Sequence, residues 1–147
     1  MSNVELLRIL AAATIMACLP GSMQAADIRA KADVACQPTA GTLTYVCTIR
    51  LTDSRTNEPL TGIDLSVGAD MPSMPMMHNV RPVKATPGRE KGTYQAHIEL
   101  EMAGEWALQL NLSGKLRDRL VQVLRFEDGE IAREISPAAP RPARQKH

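Results

Sequence analysis

The sequence predicts an all-β fold, a sandwich of about seven short strands, from three observations. Between residues 28 and 135, apolar and polar residues alternate with a period of two, which is the period of side chains along a β-strand. Clusters of Gly, Pro, Asn and Asp interrupt this alternation about every ten residues, as turns would. The same region shows no apolar repeat with the helical period of about 3.6 residues.

The first predicted element, residues 1–25, is a signal peptide. A run of 11 residues, Ile9–Leu19, that is apolar except for Thr14 follows Arg8, and small residues suited to cleavage lie near position 25. The run is too short to span a bilayer, which takes about 20 residues. A lipidated Cys18 is an alternative interpretation of the same segment. We therefore expect a secreted or periplasmic protein with no integral membrane segment in its mature chain.

The first two predicted strands carry the two cysteines that follow the leader. Apolar residues recur at every second position from Ile28 to Cys36 and again from Leu43 to Leu51. Cys36 and Cys47 both have the inward parity of their strands, and a turn region separates the strands. An even pair of cysteines in an exported domain favours a disulfide. A metal site built from two thiolates is the alternative.

The later predicted strands show the same alternation and complete the domain. They cover Ile63–Met71, Tyr94–Met102, Trp106–Leu112, Leu120–Phe126 and a short segment at Ile131–Ile135. Six or seven short strands with regular turns favour an immunoglobulin-like β-sandwich over residues 26–135. Residues 136–147 contain three prolines and three basic residues, so we expect a disordered basic tail there.

Charge and motifs exclude several classes of function. The net charge of +1, without a basic stripe, gives no electrostatic reason to expect nucleic acid as a partner. The sequence contains no nucleophile elbow, no phosphate-binding loop and no HExxH motif. We therefore expect a binding protein and not an enzyme.

The most unusual feature of the sequence is the segment Met71-Pro-Ser-Met-Pro-Met-Met-His78. The chain has eight methionines, three of them in the leader, and four of the other five lie in this segment. Thioether sulfur is a soft ligand that favours Cu(I), and copper also accepts the imidazole that His78 would add. Zinc is less suited, because it prefers thiolate, imidazole and carboxylate ligands. The segment therefore predicts a copper site, for Cu(I).

The prolines of this segment suggest which side chains bind the metal. Pro72 and Pro75 exclude a helix and a central strand, so we expect an extended conformation. In an extended chain, Met74, Met76 and His78 point to one side and are the leading candidate ligands.

Other side chains are weaker candidates for the metal site. Met102 and Met71 are additional candidate ligands, although both have the inward parity of a strand and would also suit the core. Met77 ranks last, and Trp106 would shield the site or pack against a sulfur. His97 has outward parity, so we expect it to be solvated.

Three segments together resemble the YtkA-like/FixH-like family of exported β-sandwich domains. They are Met71–His78, Gly92-Thr-Tyr94 and Leu100-Glu-Met-Ala-Gly-Glu-Trp106, and the resemblance covers residues 61–112. It implies an immunoglobulin-like fold and copper handling, as in a metallochaperone that delivers copper to cuproproteins such as cytochrome oxidase. FixH-type members are associated with the assembly of such an oxidase, but we expect no membrane anchor here. A metal-free accessory module, which docks on a membrane or secreted complex through the Met-rich segment, is the alternative function.

Overall fold

The computed structural model describes residues 28–75 and 77–135, and these residues form nine strands in two antiparallel sheets. The first sheet has the strand order β1-β2-β6-β5 and the second β4-β3-β7-β8-β9. The strands are β1 (Ala30–Pro38), β2 (Thr44–Asp53), β3 (Ile63–Asp70), β4 (Asn79–Lys84), β5 (Thr86–Pro87), β6 (Thr93–Glu99), β7 (Gly104–Gly114), β8 (Asp118–Phe126) and β9 (Arg133–Glu134). The predicted all-β sandwich is confirmed.

Segments at both ends of the chain were assigned from the sequence alone. The predicted signal peptide, residues 1–25, and the predicted tail, residues 136–147, lie outside the described residues. Within the described part of the chain, we find no helix long and apolar enough to cross a membrane.

One hydrophobic core lies between the two sheets, because the alternating apolar residues of both sheets turn inward. The inward side chains of β2 and of the middle of β7 have no exposed surface; they are Tyr45, Cys47, Ile49, Leu51, Trp106, Leu108 and Leu110. The predicted inward parity is confirmed for these strands. Ile28 is an exception, since it precedes β1 and is 44% exposed.

A disulfide joins the two strands at the edge of the first sheet. Cys36 and Cys47 are direct partners in the β1–β2 ladder, with their Cα atoms 3.9 Å apart. Both side chains are completely buried. The predicted disulfide is confirmed, and the alternative of a two-thiolate metal site is wrong, because bridged sulfur atoms offer no thiolate to a metal.

Two edge strands were not predicted from the sequence. β4 is the edge strand of the second sheet, and β5 is a two-residue edge strand of the first. Each contains a proline, Pro82 or Pro87, which is tolerated at an edge because one side of the strand has no partner there. Most side chains of β4 are exposed, so apolar alternation could not reveal it.

The strand order of the second sheet brings two connections to the same end of the sandwich. β3 and β7 are antiparallel neighbours, and Asp70, the last residue of β3, lies opposite Ala107 near the start of β7. The chain that leaves β3 at residue 71 therefore meets the chain that enters β7 at residue 104. The methionines of interest lie on these two connections.

Candidate metal centre

The Met-rich loop, residues 71–78, connects β3 to β4 by two successive tight turns. The Met74 N–H donates to the Met71 carbonyl at 3.0 Å, and the Met77 N–H donates to the Met74 carbonyl at 3.3 Å. A proline occupies the second position of each turn, where its fixed φ is favourable. The prolines therefore bend this loop instead of extending it.

The extended conformation predicted for this loop is wrong. Side chains alternate between two sides only along an extended backbone. The spacing of two residues between Met74, Met76 and His78 therefore does not imply that they point to the same side of this loop. Met76 lies outside the described residues. Proline excludes both a helix and a central strand, but a tight turn meets these restrictions as well as an extended chain does. The sequence pattern could not separate these two conformations.

The described methionines divide into one buried and three exposed side chains. Met71 is 3% exposed and belongs to the hydrophobic core. Met74 and Met102 are each 36% exposed, and Met77 is 77% exposed. The exposed thioethers are the ones that an ion arriving from solvent can reach directly.

The second loop at this end, residues 100–103, connects β6 to β7 and carries Met102. β6 ends at Glu99, so the inward strand parity predicted for Met102 is wrong. Trp106 is fully buried and donates its indole N–H to the Met102 carbonyl at 3.1 Å. The core residue therefore holds the backbone of this loop, while the Met102 thioether side chain stays accessible.

The buried Met71 side chain also reaches Gly104, the first residue of β7, where the second loop ends. A Cβ atom built on Gly104 would lie 3.2 Å from the Met71 Cε, which is close contact. Gly104 has a φ of +141°, a conformation that suits glycine. Close packing and the required backbone conformation both favour glycine at this corner.

One polar contact joins the Met-rich loop to the second loop. His78 Nδ1 lies 2.5 Å from Glu101 Oε2. The side chains are 29% and 59% exposed, respectively, so water competes for both groups and the contact adds little to stability. The main consequence of the contact is geometric, because it engages one of the two ring nitrogens of His78.

Glu101 is the residue at this site that sequence reasoning missed. It lies next to Met102 within the Leu100–Trp106 segment that carried the family resemblance. Its partner His78 is 23 residues away, on a loop whose conformation the sequence did not reveal. No periodic pattern links two residues on separate loops, so their contact became visible only in the folded chain.

The donor set at this end consists of exposed thioethers and one imidazole. Within residues 28–75 and 77–135, no group of three or more His, Cys, Asp or Glu side chains comes together as a metal site. Thioether and imidazole donors suit Cu(I) better than they suit Zn²⁺ or hard cations.

His97, the other histidine among the described residues, is not one of the candidate donors on these two loops. It lies on the outward side of β6 and is exposed, as the sequence predicts. It serves below as a matched control for a solvated imidazole.

Comparison with known proteins supports the resemblance seen in the sequence. The family model described as YtkA-like matches residues 23–111, which is more than half of the chain. The match includes both loops that carry the exposed methionines. No curated protein and no solved structure matches the chain significantly.

Proposed function

We propose that this chain, which belongs to the YtkA-like family, is a periplasmic protein that binds Cu(I). It would buffer copper or deliver it to cuproproteins such as a cytochrome oxidase. One observation carries the proposal: exposed thioethers and the imidazole of His78 lie on two adjoining loops that a hydrogen bond connects. The residues that would hold the ion are Met74, Met76, His78 and Met102, with Met77 and Met71 as further candidates.

The chemistry of an oxidising compartment supports thioether ligands over thiolates. Cys36 and Cys47 form a disulfide and are buried in the core, so neither can bind a metal as a thiolate. A thioether does not need to lose a proton before it binds, and it does not form disulfides. Methionine also has a flexible side chain, which lets sulfur atoms from two loops approach one ion without movement of the sheets.

The test compares Cu(I) binding by the wild type and by a variant without the leading ligands. In M74L/M76L/H78A, leucine keeps most of the volume and apolar character of methionine but removes the sulfur. We expect the wild type to bind about one Cu(I) per chain in an anaerobic titration against a chromophoric chelator, because the candidate donors lie on two adjoining loops. The triple variant should lose this binding.

A matched control separates a specific site from scattered binding to imidazole. H97A removes an exposed histidine on the outward side of β6, so it should bind Cu(I) as the wild type does. Unchanged copper stoichiometry in M74L/M76L/H78A would contradict the proposal.

A metal-free docking surface is the second candidate function, and the exposure of Met77 favours it. An apolar side chain that is 77% exposed is available for contact with a partner protein. The leucine variant separates the two functions because it keeps an apolar loop. Loss of copper with unchanged co-purification of a partner would indicate two independent roles, whereas no copper binding by the wild type would favour docking alone.

A further inference from the structure

We propose that Glu101 is a positioning residue that fixes the tautomer and orientation of His78, so that Nε2 is the nitrogen that binds Cu(I). The inference rests on the proposed function, because it assigns a role to a residue that supports one of the metal ligands. It adds to that function a carboxylate that would not itself bind the ion.

The first step of the argument is the hydrogen bond between the two side chains. His78 Nδ1 lies 2.5 Å from Glu101 Oε2. A carboxylate oxygen accepts hydrogen bonds, so Nδ1 carries the hydrogen and donates it. A neutral imidazole has one N–H group, and the lone pair that a metal needs is therefore on Nε2. Histidine ligands in metalloproteins are commonly held in this way, with the second ring nitrogen bonded to a carboxylate.

The second step concerns the backbone of Glu101, which is fixed on both sides. The preceding residue, Leu100, is 4% exposed, and its N–H donates to the Leu43 carbonyl at 3.0 Å. The carbonyl of the following residue, Met102, accepts the indole N–H of the buried Trp106. Glu101 therefore projects from a segment that is attached to the core, and it is well placed to orient a side chain on the neighbouring loop.

The third step is the contrast with the nearest carboxylates in the sequence. Glu105 pairs with Arg125, with 3.5 Å between Oε1 and Nη1. Glu99 is exposed on the outward side of β6. Glu101 is the one of the three whose carboxylate contacts His78, so the effect of removing it should not be reproduced by removing Glu99.

The test measures the tautomer of His78 and the Cu(I) affinity in the wild type, E101A and E99A. Long-range ¹⁵N–¹H NMR spectra of the metal-free domain distinguish protonated from unprotonated ring nitrogens, and His97 provides an internal reference. We expect the Nδ1–H form in the wild type and E99A, and a shift towards the Nε2–H form in E101A. Cu(I) affinity should fall about 10- to 100-fold in E101A, as is typical when such a support is lost, and should not change in E99A.

The outcomes distinguish this inference from the proposed function. An unchanged His78 tautomer in E101A, or an unchanged Cu(I) affinity, would overturn the role of Glu101 while leaving copper binding intact. Absence of Cu(I) binding by the wild type would contradict the proposed function itself, and the inference would fall with it. The NMR measurement needs no copper, so it also excludes a merely structural role for Glu101 if the fold is retained but the tautomer changes.

Discussion

Met71 and Met102 show how one kind of side chain serves either the core or the surface, depending on where a strand ends. Met71 directly follows Asp70, the last residue of β3, and it keeps the inward direction with 3% exposure. Met102 comes three residues after the end of β6 at Glu99 and is 36% exposed. The same parity rule predicted both to be inward, and it failed where the chain had already turned.

Tyr45 is a second residue whose surroundings set its chemistry. Its ring packs edge-on against Phe126, with 4.8 Å between ring centroids, and its hydroxyl donates to the Glu127 carbonyl at 2.5 Å. Burial is the main cause that raises the pKa of Tyr45 above the ordinary 10.0, and the carboxylates of Asp128, Glu127 and Glu130 add to it. A raised pKa means that folding favours the protonated phenol.

This raised pKa predicts how stability depends on pH in the alkaline range. The contribution of Tyr45 is complete below pH 10.0, the ordinary pKa, and is lost as pH rises through the higher pKa of the folded state. We expect the free energy of unfolding to fall as pH rises above 10.0, and to fall less steeply in Y45F. Urea denaturation at pH values on both sides of 10.0 measures both slopes. Equal slopes in the two proteins would contradict the role of Tyr45.

At the scale of elements, the disulfide between β1 and β2 ties the edge strand of the first sheet to its neighbour. It joins directly opposed residues that are completely buried, Cys36 and Cys47. Removing a native disulfide from a small domain typically costs about 2–5 kcal/mol, so we expect a loss of this size in C36A/C47A. Urea denaturation measures this loss in the free energy of unfolding. Reduced wild type is the control, because it lacks the bridge but keeps both cysteine side chains. Equal stability of the reduced and oxidised wild type would contradict a stabilising role for the bridge.

Alternation predicted the strands with one fully buried face, but it could not predict β4. In the β3–β4 ladder, Ala69 lies opposite Val80 and Val67 lies opposite Val83, so three residues of β3 correspond to four of β4. This irregularity places the two partly buried valines three positions apart instead of two. A search for period two therefore finds no strand there, and Pro82 further obscures it.

For the candidate site as well, the sequence predicted less than the structure shows, and the Met-rich loop is the clearest case. Its composition drew attention to the loop and predicts a soft metal such as Cu(I), a prediction that depends on residue type and not on conformation. Its conformation did not follow from the sequence, because Pro72 and Pro75 suit a tight turn as well as an extended chain. The contact with Glu101 depends on how two separate loops meet, which only the complete sheet order determines.

At the scale of the whole molecule, a rigid sandwich presents two short loops at one end. The antiparallel pairing of β3 with β7 brings the loops together, and the buried Trp106 holds the backbone of the second loop through the Met102 carbonyl. Binding residues are commonly arranged in this way, on loops positioned by a packed scaffold. Flexible methionine side chains then provide the local adjustment that the sheets do not.

The coordination of copper by methionine sulfur is the central claim, and X-ray absorption at the copper K-edge tests it most directly. We expect the domain loaded with Cu(I) to show sulfur as the main scatterer in the first shell, with at most a smaller nitrogen contribution from His78. The C36A/C47A variant should give the same spectrum, because the bridged cysteines are not ligands. A first shell of nitrogen and oxygen alone would contradict the claim.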